Sequence, residues 1–258
     1  MGGQARGEKM KKLSRVERKM RRRRFFFRFL LLIILTFSIS VLALNSDFFV
    51  IKNIDVIGNS KLTKENIISE SSIKLGENIF KVSIKDGKEH LNRLSYVKDV
   101  KIKRKLPKGI IINIIERKEI IQIKEISAFL LIDIEGYVLD IVDSEDHNLP
   151  QLVGLNIKDK KPGDNVFSLE KDNEGIELIK EGHAIKLLPK IKEINMEDDG
   201  NVNIVLFNGI TVAFGTLDNV KYKLGLLNTI LKDVEENQRP CTMIVMNKGD
   251  NPFIVVDD

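Results

Sequence analysis

A single cysteine and three histidines in 258 residues close off several common kinds of chemistry. With Cys241 alone, no intramolecular disulfide can form, so stability has to come from packing. Cys241 reads as a buried, inert thiol, with an exposed reactive one as the alternative. His90, His147 and His183 lie far apart without metal-ligand spacing, and no cysteine cluster accompanies them. The chain has no Gly-x-Ser-x-Gly elbow and no phosphate-cradling Gly-Lys-Ser/Thr loop. Glu197-Asp198-Asp199 falls in an expected turn and reads as a solvated loop rather than a catalytic or calcium-binding carboxylate pair. No period of roughly 20–50 residues recurs, which excludes a repeat array. Enzymatic activity is therefore the lesser expectation, because only residues distant in sequence are left to build a site.

Long apolar runs are scarce too, and the one present is decisive. Arg21-Arg22-Arg23-Arg24 leads into Phe25–Leu44, 20 residues interrupted by one charge, Arg28. At about 1.5 Å per residue this run spans roughly 30 Å, the thickness of a bilayer's hydrocarbon core. Twelve positions between Phe29 and Leu44 are Leu, Ile, Phe or Val. At about −0.3 to −0.6 kcal/mol each, they favour insertion by roughly 4–7 kcal/mol. Arg28 lies near the end of the run, where its head can reach back to the interface. Thr36 and Ser40 share a face of the helix, free to bond a neighbouring helix or their own backbone.

Charge sets the expected orientation. Residues 1–28 hold 12 Lys/Arg against Glu8 and Glu17, a net +10, and the whole chain is +5, so residues 29–258 carry −5. Short basic flanks stay in the cytoplasm. Arg21, Arg22, Arg23, Arg24 and Arg28 are thus the membrane-orienting residues, with the large C-terminal region outside. The rival is a signal peptide cleaved near Val41-Leu42-Ala43, but the run is long for one and Val41 and Leu42 are poor neighbours for cleavage. Met10, Leu13 and Met20 share a loose helical face, so the tail reads either as an interfacial helix on anionic lipid or as a solvated segment.

Beyond the run, about 215 residues are ample for one large or two small domains with real cores. Phe48–Val56 reads as a strand stopped by Gly58-Asn59. Thr63 reads as the N-cap of a helix carrying Ile67 and Ile68, and Ser83–Asp86 as a capping box opening a second helix to about Leu94. Val97–Arg104 alternates with period two, Leu106–Gly109 turns, and Ile110–Glu116 is the next strand. The order is β-α-α-β-β. Leu130–Asp133 and Tyr137–Leu139 flank a hairpin at Ile134-Glu135-Gly136, and Leu149–Gly154 ends that section. A helix is expected over much of Asn173–Leu188, ended by Pro189. Strands follow at Ile191–Met196, Val202–Phe207 and Ile210–Phe214, with tight turns at Asp199-Gly200 and Asn208-Gly209. Val220, Leu224, Leu227, Leu231 and Val234 make an amphipathic helix to about Glu236. Thr242–Asn247 and Phe253–Val256 are the last strands. Lys98, Lys101, Lys103, Arg104, Lys105 and Lys108 form a basic stretch that either faces an acidic partner or lipid, or simply discourages edge pairing.

These residues resemble the bacterial division proteins called FtsQ or DivIB. Val56-Ile57-Gly58-Asn59, Gly76-Glu77-Asn78-Ile79-Phe80 and Val97–Arg104 with Pro107 and Glu116 look like that family's membrane-proximal POTRA domain. Leu131-Ile132-Asp133 with Gly136, Leu149-Pro150 with Gly154, and Phe214-Gly215 followed by Lys221 and Leu224 look like its β domain. One departure is the proline often found shortly after the Glu116 position, where this chain has Lys118-Glu119.

The resemblance implies an α+β chain: a basic tail (1–24), a transmembrane helix (25–44), a POTRA domain (48–118) and a mixed β-rich domain with flanking helices (119–258). It implies a non-enzymatic scaffold of the division septum that binds two small bitopic proteins, FtsL and FtsB (DivIC in Gram-positive species), and helps recruit or regulate septal peptidoglycan synthesis. No cofactor and no nucleic acid are implied. Phe253, Ile254, Val255 and Val256 occupy the place where that family offers a strand edge to a partner, the alternative being that they pair only within their own sheet. On this reading Val255→Pro removes a donor that the partner needs. A membrane-anchored cell-wall enzyme is the rival. A translocation component would need a C-terminal run of amphipathic strands, and the chain ends too soon for them.

Overall fold

Apolar periodicity fixes most of the elements. The structure, a computed structural model, describes residues 15–155, 157, 159–167, 173–198, 200–248 and 251–256. Helix α1, Arg15–Asn45, contains the apolar run, and its Met20–Asn45 stretch is long and apolar enough to cross a membrane. Thr36 Oγ1 donates to the Ile33 carbonyl and Ser40 Oγ to that of Thr36, both at 2.9 Å, so these hydroxyls serve their own helix. Of the tail's apolar face, Met10 and Leu13 lie outside the described residues.

The chain folds as two compact units. The smaller comprises residues 1–55, 73–83 and 104–110, and the larger residues 56–72, 84–103 and 111–258. The strands β1 (Asn53–Ile57), β2 (Val97–Lys105) and β3 (Gly109–Glu116) make a three-stranded sheet of order β1-β3-β2. The expected strand from Phe48 begins only at Asn53. Ser46 Oγ accepts the Phe48 N–H at 3.1 Å and winds Asp47–Phe49 into a 3-10 turn instead. Helix α2 (Lys64–Glu70) starts where the Thr63 side chain accepts the Asn66 N–H. Helix α3 (Ile84–Leu91) stops three residues before the expected Leu94, because Arg93 and Leu94 donate to the carbonyls of His90 and Leu91 in tighter turns. Gly58 holds φ +89, and a Cβ there would land on the Ile114 carbonyl.

A nine-stranded mixed sheet follows, of order β12-β11-β10-β9-β8-β7-β4-β5-β6. Two members were missing from the sequence reading: β4 (Ile121–Lys124) and β7 (Gln151–Val153), which pair with each other in parallel. The Leu149–Gly154 stretch therefore contributes a strand rather than closing a section. The fully buried Gln122 of β4 is satisfied by the loop before β7, donating to the carbonyls of Asp146 and Leu149 and accepting from the Asp146 N–H. β5 (Phe129–Ile132) and β6 (Val138–Val142) form the expected hairpin.

Helix α4 (Asn173–Ala184) stops before Pro189, with Lys186 at φ +59, and the proline lies within a 3-10 turn, Leu188–Lys190. Strand β8 (Ile191–Asp198) runs two residues beyond the expected end, so Glu197 and Asp198 belong to a strand. Asp199 lies outside the described residues. β9 (Asn201–Leu206) and β10 (Thr211–Gly215) turn at Asn208-Gly209, with Gly209 at φ +90. Helix α5 (Val220–Glu236) buries its whole apolar stripe of Val220, Leu224, Leu227, Leu231 and Val234. It packs beside α4 and joins a core with Ile121, Ile123, Leu152, Ile194, Ile204 and Phe214. β11 (Met243–Val245) and β12 (Phe253–Val255) complete the sheet.

Candidate partner-binding edge

β10 pairs with β11 in parallel, and β11 then pairs with β12 antiparallel, Met243 opposite Val255, Ile244 opposite Ile254 and Val245 opposite Phe253. This puts β12 at one end of the nine-stranded sheet. Gly215, at φ +82, makes room at the neck of this arrangement, since a Cβ there would stand 2.8 Å from that of Asn247. Among the four residues singled out by the sequence, Ile254 turns inward and packs against the core, opposite the fully buried Ile244. Phe253 is 49% exposed, Val255 half-buried, and Val256 is 45% exposed just past the end of the strand.

The backbone geometry corrects one expectation. The Val255 carbonyl accepts the Thr242 N–H at 2.9 Å, so the Val255 peptide groups face β11. Peptide groups alternate sides along an extended strand, so Ile254 and Val256 direct their N–H and C=O outward. Val255→Pro would damage the sheet itself, and the outward donor to remove is that of Val256.

The sheet's other end is different. On β6, Val138 donates to the Asp164 carbonyl and accepts from Gly163 N–H, both at 2.8 Å. Leu139 accepts from Ser95 Oγ at 2.6 Å, and the Asp140 carboxylate takes the Ile141 N–H at 2.9 Å. β6 is thus covered on its outer side at Val138 and Leu139, whereas among the described residues no backbone hydrogen bond reaches the outer side of β12.

Beside β12, a cavity of about 340 Å³ is lined by Thr216, Asp218, Tyr222, Lys223, Met246 and Pro252, among others. Lys223 Nζ donates to Asp218 at 2.8 Å and to the Thr216 carbonyl at 2.9 Å. The Thr216 hydroxyl also bonds Asp218. Lys223 first, and then Thr216, push the Asp218 carboxyl down to about 2. Tyr222 stands on the polar face of α5 at 69% exposure. Neither Asp218 nor Tyr222 was singled out by sequence. An exposed aromatic on a helix's polar face was the available signal for Tyr222. Cys241 proves half-buried rather than buried, and burial pushes its thiol up.

A second polar assembly lies at residues 116–119. The Glu116 carboxylate accepts the backbone N–H groups of Ser60, Lys61 and Leu62 at 2.8–2.9 Å. Glu119 accepts from Tyr96 Oη at 2.6 Å and Lys61 Nζ at 2.7 Å. Burial, and then the bond to Glu119, push the Tyr96 phenol far up. Arg117 bonds Asp133 and Glu135 and lies 3.9 Å from the Tyr137 ring centre. Lys98 first, and then Arg117, hold the Glu135 carboxyl low. Lys98 of the basic stretch is thereby paired, at 2.6 Å. Arg21–Arg24 and Arg28 lie exposed on α1, with Arg23 5.7 Å from the Phe27 ring centre. Among the described residues, no three His, Cys, Asp or Glu side chains converge to hold a metal ion.

Comparison with known proteins places these features. Residues 49–117 match the family model "POTRA domain, FtsQ-type", and residues 122–247 match "Cell division protein FtsQ/DivIB, C-terminal". Cell division protein DivIB of Clostridium tetani is 31% identical over 211 residues, covering 79% of this chain and 78% of its own. DivIB of Clostridium acetobutylicum is 31% identical over 187 residues, covering 71% and 74%. Cell division protein FtsQ of Corynebacterium glutamicum is 25% identical over 207 residues, covering 80% and 89%. The solved extracytoplasmic domain of DivIB from Geobacillus stearothermophilus is similar at 19% identity over 47% of this chain and 97% of its own, with a TM-score of 0.30, too loose a likeness to carry an inference. With both domain models matched in order behind one apolar helix, the chain belongs to the FtsQ/DivIB family of cell-division proteins.

Proposed function

We propose that this cell-division protein works as a non-enzymatic bitopic scaffold, anchored by α1, that captures a strand from a small bitopic partner of the FtsL or FtsB/DivIC type along the outer side of β12. The observation that carries this reading is the contrast between the two ends of the nine-stranded sheet, one covered at Val138 and Leu139 and the other open. An added strand would pair with the outward groups of Ile254 and Val256, while Phe253 and Val256 offer apolar side chains to it. Tethering both proteins to one membrane raises their effective concentration, so a short pairing segment suffices. The working domain limits are 1–24 for the tail, 25–44 for the span, 48–118 and 119–258.

The basic tail, with Arg21–Arg24 and Arg28, keeps the N-terminus in the cytoplasm and places both folded domains outside, concentrated at the septum. Protease added to intact protoplasts then removes the C-terminal region. A protected C-terminal region would refute that orientation.

Val256→Pro tests the edge. It removes an outward donor without touching the β11 pairing, so pull-down of the bitopic partner from detergent extracts should weaken roughly 5–10-fold, the equivalent of one lost hydrogen bond of about 1–1.5 kcal/mol. Unchanged capture would exclude β12 as the site.

A further inference from the structure

The smaller unit carries a surface that the strand-capture reading does not use. Its parts are stitched to the end of α1 by hydrogen bonds. Asn78, which is buried, donates through Nδ2 to the Ala43 carbonyl in the last turns of the helix at 2.9 Å. Ile79 N–H reaches the Phe49 carbonyl at 2.8 Å, and Lys52 N–H reaches that of Lys108, also at 2.8 Å. Arg104 donates to the carbonyls of Ile79 and Val82 at 2.7 and 2.9 Å, fixing the 104–110 turn to the 79–82 segment. The place where the span ends is therefore the place where these loops gather.

What the loops expose is unusual for a soluble face. Phe48 and Leu106 are each 57% exposed, Leu75 is 62% and Phe80 is 40%. Phe48 packs edge-on against Phe49 at 5.1 Å between ring centres, and Phe49 against Phe80 at 5.0 Å. Lys108 Nζ lies 5.5 Å from the Phe48 ring centre. Basic residues outnumber acidic ones in this unit. Beyond α1 the unit has six Lys/Arg against Asp47, Asp55 and Glu77, a net +3. Residues 29–258 total −5, so the rest of that region carries −8. Outside α1, the net charge is thus positive in the smaller unit and negative in the rest of the folded region.

From this geometry we propose that the smaller unit is a lipid-contacting collar. Phe48, Leu75, Phe80 and Leu106 enter the interfacial layer of the leaflet next to the folded region, and Lys81, Lys105 and Lys108 meet its anionic headgroups. Aromatic rings beside lysines at a span's end favour that layer, where each ring can be half apolar and half wet. Each lysine at an anionic surface contributes about fivefold in partitioning. The collar rests on the reading of α1 as a membrane span.

The chain contains no tryptophan, so one substitution gives a unique fluorescent reporter. Full-length protein carrying Phe48→Trp, and separately Leu106→Trp in case the first perturbs the turn, is reconstituted in vesicles of phosphatidylglycerol and phosphatidylcholine with brominated acyl chains. Phe253→Trp on β12 serves as the reference. Both collar reporters are expected to emit to the blue of the reference and to be quenched, with quenching weakened when Lys81→Gln and Lys105→Gln are combined or when phosphatidylglycerol is omitted. Collar reporters that stay unquenched while the protein floats with the vesicles would overturn the proposal, as would quenching equal to that of the reference. Quenching indifferent to both the lysines and the anionic lipid would overturn the headgroup contact. Failure of the protein to float would instead overturn the anchor on which the collar rests.

Discussion

Arg117 Nη1 stands 2.5 Å from the Asp133 carboxylate, with the two side chains only 12% and 4% exposed. Asp133 also accepts the N–H groups of Glu135 and Tyr137 at 2.9 Å each, so the pair ties the β5–β6 hairpin to the end of β3. Arg117→Ala leaves a buried carboxylate without its counter-charge and should cost about 3–5 kcal/mol. Arg117→Lys should restore only part of that, lacking the planar fork and the stacking on Tyr137. Denaturant unfolding of the full chain in detergent reads both, and a loss below about 1 kcal/mol for Arg117→Ala would contradict the buried pairing.

Tyr96 gives the protein an alkaline limit. Its phenol holds its proton more tightly when folded than the ordinary value of 10.0, through burial and the bond to Glu119. Above pH 10 the unfolded chain sheds that proton while the folded chain keeps it, so this contribution is full below pH 10 and declines as pH rises. Tyr96→Phe should flatten the fall in stability between about pH 10 and 11, measured by chemical unfolding at a series of pH values. An unchanged slope would remove Tyr96 as its source.

Gly58→Ala should destabilise the fold by at least about 1–3 kcal/mol, because the position combines a left-handed φ with a carbonyl where the new methyl must go. Gly163→Ala is the comparison, as its φ is similarly positive at +97 but nothing lies within 4 Å of the new Cβ. A thermal melt in which Gly163→Ala costs as much as Gly58→Ala would show that crowding against Ile114 has no weight.

Phe253 and Ile254 are neighbours on β12 with opposite surroundings, the first 49% exposed and the second packed against the core. Phe253→Asp should leave stability within about 0.5 kcal/mol while weakening partner capture. Ile254→Ala should cost about 1–3 kcal/mol, because its side chain packs against the core beside Ile244. Parallel pull-downs and melts separate the two. Equal capture by wild type and Phe253→Asp would count against Phe253 as a contact.

The sequence made α5 legible because a 17-residue helix repeats its apolar stripe often enough to outweigh local ambiguity, and all five stripe residues are buried. The capping hydroxyl of Thr63 was readable for the same reason, as its partner lies three residues away. Strands β4 and β7 were not, because each is too short for alternation to register and their pairing is parallel across a long connection. Arg117 and Asp133 lie 16 residues apart and meet only once the hairpin has formed. For β12, four consecutive apolar residues marked a strand, but only its pairing with β11 and the Thr242–Val255 hydrogen bond reveal that Ile254 faces the core and which peptide groups point outward.

The asymmetry between β6 and β12 also limits growth. A sheet with two free borders can stack copies side by side without end. With the β6 border covered at Val138 and Leu139, any edge-to-edge association of identical chains would favour a pair joined through β12, and a captured foreign strand would take that border instead.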